Sequence, residues 1–274
     1  MKIMTLSRFF LPAILTSFLF SPAFANTEII VQSTTSTKNS GLYDYILPLM
    51  EQDTGVKAHI VAVGTGAAIK NAMNCDGDIL LVHSREREDR FVADGFAARR
   101  YDVMYNDYVI IGPSSDPAKI AGLTDATDAF SQIASSQSVF ASRGDLSGTH
   151  GKETSIWAAA GLDPRTGSGQ WYRETGSGMG ATLNIAVGIA GYTLTDRASW
   201  TNFGNKADMK ILVEGDKRLF NPYGVMLVSP EKCPTVNKKA GQAFIDWLVS
   251  DAGQRAISAY QIKGKQVFFA NANP

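Results

Sequence analysis

The chain is poor in the residues that build metal centres and nucleophilic sites. It has two cysteines and three histidines in 274 residues, and its formal charge is zero. Cys75 and Cys233 are far apart, and His59, His83 and His150 are scattered, so no metal-ligand spacing is present and no metal site is expected. Without net positive charge the chain lacks the field that holds nucleic acid or anionic lipid. There is no G-x-x-x-x-G-K-S/T loop and no G-x-G-x-x-G after a strand, which argues against nucleotide binding. There is no G-x-S-x-G elbow either. His150 follows Ser147 closely, but nothing marks a third catalytic member, so no catalytic residue is assigned.

One long apolar run exists, at residues 9–20, after Lys2 and Arg8 and before Ala23-Phe24-Ala25. That is the layout of an export signal over residues 1–25, with the mature chain starting near Asn26 outside the cytoplasm. The run is shorter than the roughly 20 residues a membrane span needs, and no second one follows. No cysteine follows the cleavage pattern, so no lipid anchor is expected. The mature chain would carry 24 basic and 26 acidic residues, a charge of −2. In an oxidising compartment two distant cysteines are more often a disulfide than a site, so Cys75 and Cys233 are expected to pair.

The mature chain reads as an α/β protein. Strands are expected at 28–32, 59–63 and 78–82, with helices at 41–54, 67–74 and 85–94 between and after them. Pro48 should kink or break the first helix. A longer β segment at 103–111 is followed by a second α/β series. It has helices at 122–137, 149–160 and 181–188 and strands at 138–141 and 192–195. Another β segment spans 221–229, and helices at 236–249 and 251–260 close the chain, Ser250 capping the last. Trp157 and Trp247 fall at helical core spacing. The pattern implies two α/β lobes joined by two crossings, with 26–104 and 222–274 forming one lobe and 105–221 the other.

Four strand-to-helix turns are rich in Ser, Thr and Gly. They are Ser33-Thr34-Thr35-Ser36, Gly64-Thr65-Gly66, Ser142 to Thr149, and Gly176-Ser177-Gly178-Met179-Gly180. In an open α/β sheet such turns lie at the carboxyl ends of the strands, where ligands bind. The first N–H groups of each helix lack an internal partner and favour an anion. Any single turn of this kind is adequately explained as a helix cap; four together point to a shared anion site. Arg143 is the one arginine in these turns, and Asp145, two residues on, is expected to orient it. The Arg143-Gly144-Asp145 triplet sits between a strand and a helix start, so its match to an adhesion signal is chance. His83 ends a strand beside Ser84 and is read as a packed or capping residue, with cleft lining as the alternative.

Taken in order, several motifs resemble the periplasmic tungstate-binding proteins of tungstate ABC transporters. They are Ser33 to Thr37 with Ser40-Gly41-Leu42, Ala62-Val63-Gly64-Thr65-Gly66, and Asp78-Ile79-Leu80-Leu81-Val82-His83. Val103 to Tyr108, Ser142-Arg143-Gly144-Asp145 with Ser147-Gly148-Thr149-His150, Gly178 to Leu183, and Asn221-Pro222-Tyr223-Gly224 continue the match. The resemblance implies a two-lobed type II periplasmic-binding-protein fold with the ligand cleft between the lobes. It implies a monomer that binds a tetrahedral oxyanion, docks on a membrane permease and needs no cofactor. Carried over by position, the ligand-binding residues are Thr35, Ser36, Thr65, Gly66, Arg143, Ser147 and Thr149. Thr34, Gly148, Gly178, Met179 and Gly180 lie beside them in the same turns. Molybdate, sulfate or phosphate are alternative ligands on the same fold, and a secreted phosphate-ester hydrolase is the enzymatic alternative. Asp145, the one acid near these turns, is assigned to Arg143, so phosphate, which keeps a proton near neutral pH, should be rejected.

Overall fold

The computed structural model describes residues 27–145 and 147–272. The export segment read at 1–25, and the start near Asn26, lie outside them. The first series comprises β1 (Thr27–Thr34), α1 (Thr35–Asn39), α2 (Leu42–Thr54), β2 (Val56–Val63), α3 (Thr65–Met73), β3 (Ile79–Val82), α4 (Arg85–Ala93) and β4 (Tyr101–Pro113). The second comprises α5 (Ala126–Ser135), β5 (Phe140–Ser142), α6 (Gly148–Ala159), β6 (Tyr172–Glu174), α7 (Met179–Gly188), β7 (Thr193–Asp196), α8 (Arg197–Asn202) and β8 (Met209–Val213). The chain then returns through β9 (Phe220–Leu227) to α9 (Lys238–Val249), α10 (Asp251–Ala259), β10 (Gln261–Ile262), β11 (Lys265–Gln266) and β12 (Phe269–Ala270).

Two sheets share β4. Its first half pairs antiparallel with β9, in a sheet ordered β12-β4-β9-β3-β1-β2. From Tyr108 onward it pairs with β7 and β8 instead. Only β1, β2 and β3 form the parallel core expected of the first lobe; β9, β4 and β12 extend it antiparallel. The two strands that cross between lobes are thus one hydrogen-bonded pair, with Asn106 opposite Asn221.

Strand alternation explains the packing. On β3, Ile79 and Leu81 enter one apolar cluster, with Phe244 and Trp247, while Leu80 and Val82 enter another, with Phe91 and Cys233. On β4, Tyr108 and Ile110 join Trp157 and Phe140, while Val109 and Ile111 face Met179 and Leu183. Each sheet is therefore covered on both faces, which fixes the strand register. Trp157 and Trp247 are both core residues.

Helix α2 runs unbroken through Pro48. Pro48 is exposed, so the carbonyl its missing N–H leaves free can face water, and the expected break does not occur. Cys75 and Cys233 form a disulfide with Cα atoms 5.2 Å apart, tying the turn after α3 to the segment after β9.

Candidate functional site

Three of the four Ser/Thr/Gly turns converge between the lobes. The starts of α1, α3 and α6 meet beside the end of β3 and enclose a narrow void. The first lobe lines it with Thr34, Thr35, Ser36, Val63, Gly64, Thr65 and His83. The second contributes Arg143, Ser147, Gly148 and Thr149. Arg143 is 4% exposed, and Thr65 and Thr149 are each 1%, so these groups are shielded from bulk water.

Arg143 is held from two sides. Its Nη2 donates to Asp145 Oδ2 at 2.6 Å, and Asp145 Oδ1 accepts from the Ser147 amide at 3.1 Å. Beneath the loop, Ser142 Oγ accepts from the Gly144 amide and donates to the buried Glu153, which also accepts from Tyr172. Burial pushes the Glu153 carboxyl up to about 7. Arg143 Nε and Thr149 Oγ1 have no hydrogen-bond partner among the described residues, although both are buried. Leaving a buried donor without a partner costs about 1–3 kcal/mol, so each needs an acceptor. Ser147 caps α6 by accepting from the His150 amide at 3.1 Å, which leaves its O–H to donate elsewhere. The capping reading and the ligand reading both fit that residue.

The fourth turn does not reach the void. Gly178, Met179 and Gly180 are absent from its lining, as is Gly66. Met179 is buried in the core of the second lobe. The stretch before α7 instead braces the arginine loop: the Ser177 amide and Thr175 Oγ1 both donate to the Arg143 carbonyl.

His83 is a residue whose part sequence reasoning underrated. It is 5% exposed and lines the void. Its Nδ1 lies 3.1 Å from Asn221 Oδ1. Asn221 Nδ2 donates to Asn106 Oδ1 at 2.6 Å, which sets the amide so that Oδ1 faces the ring. Nδ1 therefore carries the hydrogen, and Nε2 accepts from Ser36 Oγ at 3.2 Å. Burial, aided by the positive charge of Arg143 and opposed by the bond to Asn221, holds the imidazole down to about 4. Tyr223 stacks on the ring, centroids 4.8 Å apart. Gly224 next to it leaves room for the buried Glu88–Arg100 pair, which any side chain there would strike. Within the Asn221-Pro222-Tyr223-Gly224 motif, Asn221 and Tyr223 thus support His83, and Gly224 accommodates the ion pair. A second acid also emerges. Asp196, at the end of β7, is 1% exposed, and burial raises its carboxyl above the usual range. It caps α8 through Oδ1, and it was not visible in the sequence as a neighbour of Arg143.

A family model for the PBP superfamily domain matches residues 21–252, and the chain belongs to that superfamily of two-lobed binding proteins. The tungstate-binding protein TupA of Peptoclostridium acidaminophilum is 40% identical over 252 residues, 90% of this chain and 87% of its own length. The solved structure of the tungstate-binding protein TupA from Desulfovibrio alaskensis G20 matches with a TM-score of 0.80 and 43% identity, over 90% of this chain and all of that one. The structure titled as the tungstate ABC transporter from Geobacter sulfurreducens matches with a TM-score of 0.77 and 45% identity, covering 85% of this chain and 98% of that one.

Proposed function

We propose that this protein is an extracytoplasmic solute-binding protein that captures tungstate and delivers it to the permease of an ABC transporter. The observation that carries the reading is the pair of buried donors, Arg143 Nε and Thr149 Oγ1, without a close partner among the described residues, in a void that no carboxylate of those residues lines. A fully deprotonated tetrahedral dianion needs donors only, and it would satisfy both groups. In this reading Thr35, Ser36, Thr65, Ser147 and Thr149 surround the anion, Ser36 by its backbone amide because its hydroxyl proton goes to His83, and Arg143 supplies the full positive charge. The lobes divide at 104/105 and 221/222, and they open and close about the β4–β9 pair. Of the relatives named above, two are named as tungstate-binding proteins and one as a tungstate ABC transporter.

Ser36, His83 and Asn221 form a hydroxyl–imidazole–amide chain of the kind that hydrolases use. Two features weigh against catalysis here. Ser36 is 6% exposed, and the imidazole near 4 is a weak base at neutral pH. We read the chain as a brace that positions the first-lobe loop.

The test is a melting-temperature titration of the protein, stripped of bound anion, with sodium tungstate. The reading requires a rise that grows with free tungstate. No rise at millimolar tungstate would overturn it.

A further inference from the structure

The sealed void raises the question of how an anion reaches it. Two grooves run between the lobes on either side, and both are basic. One, of about 510 Å³, is lined by Arg197, Lys206, Lys263 and Lys265, and shares no residue with the void. The other, of about 760 Å³, is lined by Arg85, Arg87, Arg90, Lys152 and Lys217 against Glu86 alone among acids. His83 and Gly148 line both this second groove and the void, so the two spaces are separated by one side chain and one backbone segment.

Both lobes supply cations to this groove: α4 carries the arginines, and Lys152 and Lys217 come from the second lobe. Arg87 reaches across the seam, its Nη2 3.9 Å from where a Cβ on Gly151 would stand. Arg85 is paired with Asp89, and Lys152 is anchored by its Nζ, which donates to the Arg218 carbonyl at 2.8 Å. Arg90 and Lys217 are exposed. The chain as a whole is uncharged, so it exerts no long-range pull on an anion. A local concentration of one sign in a groove does, by focusing the field over about one Debye length, roughly 10 Å at 0.1 M salt.

We propose that the groove between α4 and α6 is the route by which the oxyanion enters and leaves, and that its cationic lining sets the association rate. The proposal rests on the binding reading above and specifies which of the two grooves serves it. When the lobes part, Gly148 must separate from His83 and from Thr65, to which its amide donates, to join groove and void. The cations stand outside these contacts and touch nothing inside the void. They accelerate encounter without holding the bound anion, so they act on the association rate and leave dissociation alone.

The test is stopped-flow tryptophan fluorescence with sodium tungstate, on the wild type, on Arg90→Glu/Lys217→Glu, and on Lys263→Glu/Lys265→Glu as the opposite-side control. At low ionic strength the Arg90→Glu/Lys217→Glu protein should associate about 10-fold more slowly. Its dissociation rate should stay at the wild-type value, and the difference should fade at about 0.5 M salt. The control should associate like the wild type. Equal association rates in all three, or an equal loss in the control, would overturn the route while leaving tungstate binding intact. If tungstate changes neither the fluorescence nor the melting temperature of the wild type, the binding reading fails and the route with it.

Discussion

The backbone amide of Gly148 in the second lobe donates to the hydroxyl of Thr65 in the first, at 3.0 Å. A Cβ at residue 148 would sit 2.9 Å from His83 Cε1 and 3.1 Å from Thr65 Oγ1. The His83 ring is pinned by Asn221, Ser36 and Tyr223 and has no room to retreat. Gly148→Ala should therefore hold the lobes apart. The fold should survive, because each lobe keeps its own core. Tungstate affinity should fall roughly 10-fold or more, in line with an overpacking cost of about 1–3 kcal/mol. Small-angle scattering with tungstate should show a larger radius than for the wild type. A variant that compacts and binds normally would mean that closure does not depend on this contact.

Arg143 should be the strongest single contributor to anion affinity. A hydrogen bond to a charged group is worth about 1.5–3 kcal/mol against roughly 1 for a neutral pair. Arg143→Ala should weaken tungstate binding more than Thr35→Ala, Ser36→Ala or Thr65→Ala. Arg143→Lys should fall between, since it keeps charge and loses the planar fork. The tungstate-induced rise in melting temperature ranks the series directly. A wild-type rise in Arg143→Ala, together with its loss in Thr65→Ala, would make the arginine structural.

The alternation of strands and helices and the Ser/Thr/Gly-rich helix starts could be read in the sequence because each is a local signal. Periodicity marks a strand, and Ser, Thr or Gly marks a helix start. For the same reason the sequence does not separate the fourth turn from the three that meet at the void. Nothing local distinguishes Gly178-Met179-Gly180, which lies outside the void just after the Thr175 and Ser177 that brace the Arg143 carbonyl, from Gly64-Thr65, which lines it. His83 and Asp196 were obscure because their neighbours are distant in sequence: Asn221 is 138 residues from His83. The short elements α1, α8 and β6 carry too few residues to show a period. Whether Pro48 breaks the helix depends on exposure, which sequence alone does not give.

His83 should leave a mark on the pH dependence of stability. Its folded value of about 4 lies below the ordinary 6.5, so the folded state prefers the neutral ring. That contribution is fully present above about pH 6.5 and is lost as pH falls toward 4, because the unfolded chain takes up the proton first. The shift corresponds to about 3 kcal/mol at most. Melting temperature should drop between pH 6.5 and 4.5 more steeply in the wild type than in His83→Gln. Parallel curves would show that His83 is not held neutral by the fold.

The Cys75–Cys233 bridge closes a long loop and should stabilise the first lobe by about 2–4 kcal/mol. Reduction, or the Cys75→Ser/Cys233→Ser pair, should lower the melting temperature by roughly 5–15 °C. Tungstate affinity should be unchanged, since neither cysteine lines the void. Labelling the unfolded, unreduced protein should find no free thiol; two free thiols would rule the bridge out.

Isothermal titration calorimetry of the anion-free protein with tungstate and then with phosphate tests the central claim most directly. Near neutral pH tungstate has no proton, whereas phosphate keeps one and needs an acceptor. No carboxylate of the described residues lines the void, and the bare nitrogen there, His83 Nε2, is already occupied by the Ser36 hydroxyl. The account predicts tight, one-to-one tungstate binding that a comparable concentration of phosphate does not displace. Phosphate competing on equal terms would contradict it, and would mean that Ser36 or His83 turns an acceptor toward the ligand.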